Sequence, residues 1–298
     1  MSGAKQLDLL VDAQNHLGEG VLWCERSRRV YWTDIVAQRL HCYCPDSGAC
    51  KEWIMPDRLS CFAFTADENI FLLGLASRLA YFDLRTETVT DICAVEADLQ
   101  MTRVNDGRCD RQGRFVFGTM DERLSKELTG SFYRLNHDLK LERLSLPKIA
   151  IANSICFSVD GSAMYFCDSI GKIIYRWDGY ARGDTSQVTV FADLGSDRAA
   201  PDGATIDADG FLWSAQWGGA RVVRYTPGGS IDRTLHLPVS QPSCVCIGGT
   251  QLNQLFVTTA QESLSVGMLI EEPLAGGLFH KLLNDVRGLP EVRFGGRI

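Results

Sequence analysis

Arg103-Val104-Asn105-Asp106-Gly107-Arg108-Cys109-Asp110-Arg111-Gln112-Gly113-Arg114-Phe115-Val116-Phe117-Gly118-Thr119-Met120 contains one complete structural unit. It opens on polar groups able to bind a ligand: Arg103, Asn105 and Asp106. A short strand follows, then turn residues at 110–113, then a second strand of aromatic and β-branched residues. Polar tip, strand, hairpin, strand: the rest of the chain repeats this unit with different polar residues at the tip.

The repeat is visible in short runs rich in aromatic and branched residues at 29–33 (RVYWT), 70–73 (IFLL), 114–118 (RFVFG), 163–167 (AMYFC), 211–215 (FLWSA) and 254–258 (QLFVT). Polar or glycine-containing turn residues precede each run. Third strands follow at 79–83, 173–177 and 222–225. Repeat starts fall near Gly18, Ser60, Asn105, Asn153, Asp202 and Pro242. Spacings of roughly 40–50 residues are those of four-stranded propeller blades. The pattern predicts an all-β, six-bladed β-propeller forming a single domain over residues 1–298. A pair of packed sandwiches is the rival, and the absence of any linker-like segment argues against it. Closure of the ring needs a strand from one terminus to join the last blade, and 7–11 (LDLLV) suits the outer edge of 277–282. No segment sustains a helical period, except that 121–129 (DERLSKELT) is expected to form a short helix.

Composition sets the outer bounds. Of the 298 residues, 45% are hydrophobic and 22% charged, which is ordinary globular usage. The net charge of −7 with no basic cluster gives nucleic-acid binding no support. Eleven cysteines, with no CxxC or CxxH spacing, read as free thiols of a reducing compartment. The N-terminal stretch lacks the apolar run of a signal peptide, and no segment reaches about 18 apolar residues. The expected location is the cytoplasm, with no membrane partner.

In a propeller the innermost strands line a central channel, so residues at the same end of each converge. The repeat places Glu19, Asn105, Asn153 and Asp202 in equivalent positions. Alone, Gly18-Glu19-Gly20, Asn105-Asp106-Gly107 and Pro201-Asp202-Gly203 each read equally well as turns. Their shared phase in the repeat is what singles them out. Gathered together, two carboxylates and two amides suit a hard divalent cation. The expected ligands are Glu19, Asn153 and Asp202, with water in the open positions. Arg103 lies two residues before Asn105, so both are expected to face the channel. Asp121 and Glu122 follow the second strand of that blade, whose outlet is expected at a different point; a substrate role and a solvated loop are both open for them. No HExxH, GxSxG, GxGxxG or Walker pattern occurs, and the five histidines are dispersed. A metal-and-carboxylate hydrolase fits this inventory better than a serine or cysteine nucleophile.

The chain resembles the SMP-30/gluconolactonase/regucalcin family along essentially its whole length. The resemblance rests on 17–23 (LGEGVLW), on Arg103…Asn105-Asp106-Gly107 through Gly118-Thr119-Met120, on Pro201-Asp202-Gly203…Trp213, on Gly218-Gly219…Arg224 and on 275–279 (AGGLF). It implies the same six-bladed fold and one divalent metal ion (Ca2+, Zn2+, Mn2+, Mg2+ or Fe2+) on Glu19, Asn153 and Asp202. It implies substrate contacts from Arg103 and Asn105. A further family acid falls at Glu122, with Arg123 in the nearest match. It departs at Ser154, where relatives commonly carry glycine, a residue that takes a left-handed backbone at little cost. The implied activity is hydrolysis of an aldono- or aldaro-lactone to the open sugar acid, with Asp202 as general base and 121–129 as a lid. The implied assembly is a monomer or weak homodimer. The alternatives are a non-enzymatic Ca2+-binding regulator of the regucalcin type and an interaction scaffold.

Overall fold

The computed structural model describes residues 7–297, so residues 1–6 of the stretch read for a targeting signal lie outside it. Six four-stranded antiparallel sheets follow one another along the chain. Their innermost strands are Gly18–Cys24, Leu59–Phe64, Thr102–Cys109, Ala152–Phe157, Ala200–Ile206 and Pro242–Gly248. We number the blades 1 to 6 in that order. Blade 6 takes its outermost strand from the other end of the chain. Asp8–Val11 pairs with Leu278–Leu282, setting Asp8 against His280 and Leu9 against Phe279. The ring is therefore closed by hydrogen bonds, as the sequence predicts.

The turns between first and second strands show why the repeat reads so clearly. Asp110 accepts from the backbone N–H of Gln112 and Arg114, at 2.9 and 3.0 Å. Asp207 does the same for Asp209 and Phe211, at 3.1 and 2.9 Å. Gly113 (φ 77°) and Gly210 (φ 81°) close these turns in the left-handed region. The Asp-x-x-Gly signature is thus a side chain holding its own hairpin, the usual role of aspartate in a turn.

Apolar residues of neighbouring blades interleave in layers. One layer joins blades 1 and 2 through Leu22, Tyr31, Leu40, Phe62, Phe64 and Phe71. Another joins blades 5 and 6 through Trp213, Val222, Val245, Leu255 and Val257. Burial is complete at many of these side chains, each stabilising by about 1.5–3 kcal/mol.

One local expectation is corrected. Residues 121–129 form turns, not a helix, and the one α-helix among the described residues is Val266–Glu271, capped by Ser265. The eleven cysteines are all free, as expected, and eight of them are buried, Cys24, Cys42, Cys61 and Cys109 among them.

The C-terminal segment 283–297 runs beneath the propeller. It bonds in turn to Leu252, Ala208, Glu25, Phe64 and Gly113, which belong to five different blades. All five lie at or next to the first-to-second-strand turns. The strap therefore covers the end of the channel opposite the polar tips. No helix among the described residues is long and apolar enough to cross a membrane.

Candidate active site

The polar tips meet at the open end of the channel, around a cavity of about 410 Å3. Glu19, Arg103, Asn105, Asn153, Asp202 and Glu122 all line it. Asp106, the third polar group of the opening stretch, does not. It points down the channel, where its Oδ2 accepts from Ile155 N at 2.8 Å.

Each innermost strand breaks its register near the cavity end. The shifts fall between Glu19 and Leu22, Leu59 and Cys61, Val104 and Gly107, Asn153 and Cys156, Pro201 and Ala204, and Pro242 and Cys244. A bulge re-aims a side chain that regular pleating would alternate away. Glycine after the tip residue, in Glu19-Gly20 and Asp202-Gly203, is the sequence signal for it. At the blade 4 tip the residue is Ser154, held at φ 58°, almost the φ of 57° at Gly20. Serine thus takes the left-handed conformation, and its Oγ donates to Asp202 O at 2.5 Å.

A chain of hydrogen bonds fixes the amides. Arg103 Nη1 donates to Asn105 Oδ1 at 2.7 Å and to Ser60 Oγ at 3.2 Å. Asn105 Nδ2 donates to Asn153 Oδ1 at 3.0 Å and to Ala152 O at 2.9 Å. Asn153 Nδ2 donates to Ser169 Oγ at 2.9 Å, and that hydroxyl donates to Pro201 O at 2.8 Å. Asn105 therefore couples Arg103 to Asn153 across the blade 3–blade 4 boundary.

The carboxylates are treated differently. Asp202 is buried, and Glu19 is partly open to the cavity. Glu19 accepts only the adjacent Gly20 N, at 3.1 Å. Among the described residues neither forms an ion pair with a basic side chain. Burial, then repulsion from Asp106, pushes the Glu19 carboxyl up to about 8. Burial, then Glu19 and Asp106, pushes Asp202 well above the usual carboxylate range. Two mutually repelling acids facing one cavity are what a divalent cation would neutralise. The acid, amide and acid oxygens of Glu19, Asn153 and Asp202 fit such an ion with water completing the shell. Among the described residues no three acidic, histidine or cysteine side chains form a cage of their own, so the amide of Asn153 is integral to this donor set.

The outlets of the second strands also reach the cavity, which corrects the expectation that Glu122 emerges elsewhere. Antiparallel pairing sets Thr102 opposite Asp121 and Arg103 opposite Met120, so the end of the second strand lies beside the start of the first. Glu122 forms a two-pronged ion pair with Arg58, whose Nη2 lies 3.1 Å from Oε2, and Arg103 Nε stands 3.7 Å from Oε1. Burial opposes its charge, but Arg58 and Arg103 more than offset this and hold the carboxyl below its ordinary value. Arg123 turns back to Asp121, at 2.9 Å, and to Glu127. Asp121 is buried and accepts from the N–H of Arg123 and Glu127, knotting the loop.

Sequence reasoning missed Arg58, Trp217 and Glu262 on the cavity wall, and it named Lys126 only as part of the 121–129 loop. Trp217 and Glu262 end or follow the second strands of blades 5 and 6, as Glu122 follows that of blade 3. That shared phase was the signal available.

A model of the SMP-30/Gluconolactonase/LRE-like region matches residues 17–261. The chain belongs to this family. It is 48% identical to the L-arabinolactonase of Azospirillum brasilense over 98% of this chain and 97% of the relative. It is 30% identical to the 6-deoxy-6-sulfogluconolactonase of Pseudomonas putida, over 97% and 99%. The solved structure of a calcium-binding protein, regucalcin, from Agrobacterium tumefaciens superposes with a TM-score of 0.91 at 30% identity, covering 99% of this chain and 98% of that one.

Proposed function

We propose that this propeller hydrolyses a sugar-acid lactone to its open-chain acid, with one divalent cation held by Glu19, Asn153 and Asp202. The observation that carries the reading is the pair of acids, from blades 1 and 5, that face one cavity without a basic partner. Similarity to two lactonases along nearly the full chain supports the choice of reaction. Carbohydrate catabolism is the setting such a substrate implies.

When bound, the cation supplies Lewis-acid polarisation of an ester carbonyl and positive charge for the oxyanion. The protein's own groups do the rest. Asp202 accepts a proton from the water that adds to the carbonyl carbon, and returns it to the ring oxygen as the C–O bond breaks. The products are one carboxylic acid and one hydroxyl, so atoms and protons balance. Arg103, fixed by Ser60 and Asn105, orients the substrate oxygens. Glu122, held by Arg58, accepts from a hydroxyl. The apolar wall of Leu17, Ile35, Met120, Ile151 and Trp217 limits the water that reaches the site.

The test is titrated acid release from a panel of sugar lactones, with and without chelator. Lactone opening that chelation abolishes and a divalent ion restores is the expected result. Turnover indifferent to chelator overturns the metal-dependent reading. The similarity to a structure described as a calcium-binding regucalcin favours one second reading, a Ca2+-binding regulator. Tight calcium binding with no lactone opened would select it.

A further inference from the structure

Two charged side chains on the cavity wall have no counterpart in the proposed chemistry. Lys126 comes from the loop after the second strand of blade 3, and Glu262 from the loop after the second strand of blade 6. Lys126 Nζ donates to Asp121 O at 2.9 Å and, among the described residues, pairs with no carboxylate. An ammonium has three donors, so two remain for a ligand. The Glu262 carboxylate has no hydrogen bond or ion pair among the described residues. The charge of Glu262 acts on Lys126, yet among the described residues the two form no ion pair.

Both side chains stand on backbone that cannot easily move. Glu262 N donates to His16 O at 2.9 Å, and Gln241 Nε2 donates to Glu262 O at 2.9 Å. The Lys126 loop is tied to buried Asp121, as described above. Lys126 itself (φ 49°) and Ser263 next to Glu262 (φ 62°) take left-handed backbone, a conformation that persists in a non-glycine residue where the surroundings enforce it. The donor and the acceptor are thus fixed in place and left open towards one space.

We propose that Lys126 and Glu262 are specificity-determining residues that together read the hydroxyls of the substrate remote from its reacting carbonyl, and that they select a neutral polyhydroxylated lactone over one with an acid at that end. This rests on the lactonase reading. A hydroxyl donates to Glu262 and accepts from Lys126, so one or two hydroxyls satisfy both residues. A carboxylate at the same place gains Lys126 and is repelled by Glu262, leaving its desolvation uncompensated. The other cations of the wall, Arg58 and Arg103, stand at Glu122, and Arg103 serves the oxygens at the reacting end.

The experiment measures kcat and KM for the wild type, Lys126→Met and Glu262→Gln. The substrates are a 1,4-lactone with a hydroxylated side chain, the same ring without that chain, and the chain oxidised to an acid. For each variant the preference for the hydroxylated over the bare ring falls about tenfold or more, carried by KM. Glu262→Gln also raises the relative acceptance of the acid-bearing lactone. An unchanged preference, or equal losses on the hydroxylated and bare rings, overturns the proposal. If the wild type opens no lactone, the lactonase reading fails, and binding of the corresponding cyclic polyol, followed by the fluorescence of Trp217, decides the pair alone. Weaker binding by both variants supports it, and unchanged binding overturns it.

Discussion

The two ends of the central channel both bury charge, and they treat it in opposite ways. Beneath the propeller, Arg108 Nε lies 3.1 Å from Glu291 Oε1 and its Nη1 donates to Ala204 O at 2.9 Å. Burial disfavours the Arg108 charge, but Glu291 more than offsets this and holds its pKa above the ordinary value. At the cavity end, Glu19 and Asp202 are both held well above the usual carboxylate range; Arg103 offsets this only in part at Glu19, and among the described residues neither acid has an ion-pair partner. An ion pair inside a protein that is complete needs nothing further. An incomplete set of like charges is a cost that folding alone does not explain, and it marks where a ligand belongs. The comparison separates structural charge from functional charge within a single channel.

The comparison breaks most readily at Asp202. Asp202→Asn is expected to lower kcat/KM for the lactone by about 10²–10³-fold or more, since it removes both the general base and a metal ligand. It should leave the melting temperature of the chelated protein unchanged or higher, because it removes repulsion from Glu19. A steady-state assay beside a thermal melt checks both. A large loss of stability would mean that the carboxylate serves the fold, and the contrast between the two ends would be false.

Glu291→Gln is the mirror experiment. Removing one partner leaves Arg108 buried without compensation, a change that costs about 3 kcal/mol. The expected signature is a lower urea midpoint with kcat nearly unchanged, because Glu291 sits on the strap at the far end. Loss of activity with stability intact would place the strap in communication with the site.

The pH dependence of the metal-free protein sharpens the same point. The Glu19 carboxyl titrates near its ordinary 4.5 when unfolded and at about 8 when folded. Between those values the folded state binds more protons than the unfolded one. Stability of the chelated protein therefore falls as pH rises from about 5 to 8, with Asp202 adding in the same direction. A bound divalent ion favours both ionised carboxylates, so the loaded protein loses this slope. Thermal melts across that range, with and without chelator, read it directly. Identical slopes would deny the ion a place at these acids.

How much of this was legible in the sequence follows from where each signal is stored. The blades were, because Asp-x-x-Gly turns and aromatic strands are local and recur in phase. Strand 173–177 was placed to the residue, and closure by Asp8–Val11 was visible in one apolar run. The tip residues were legible for the same reason: a common position in a repeat predicts a common place in space. The bulges were not read, although glycine after Glu19 and Asp202 hints at them. Glu122 was expected as a substrate contact, but its outlet was placed elsewhere, because chain order hides the antiparallel register that sets the end of the second strand beside the start of the first. Lys126 was covered only as part of the 121–129 lid and not singled out, and the phase that Glu262 shares with Glu122 was not followed into blade 6, because nothing local marks a loop residue as facing a cavity built by other blades. The helix expected at 121–129 failed because Asp121 binds the loop's N–H groups and competes with helical bonding. The true helix begins at Ser265, an N-cap signal that was passed over.

Ser154 gives the smallest effect and the finest test of how the tips are built. Its φ of 58° is a conformation that glycine takes freely and serine at about 1–2 kcal/mol. Its Oγ returns a hydrogen bond to Asp202 O, at 2.5 Å, which ties the blade 4 tip to the blade 5 tip. A buried bond of that kind is worth about 1 kcal/mol net. Ser154→Gly removes strain and bond together, so its stability should change by less than about 1 kcal/mol. Ser154→Ala keeps the strained backbone and leaves the Asp202 carbonyl without this donor, so it should lose about 1–2 kcal/mol. Equilibrium unfolding of the two variants orders them glycine above alanine if strain and bond offset one another here. The reverse order would mean that the left-handed turn costs nothing at this site, and that the hydroxyl alone explains serine in the place of glycine.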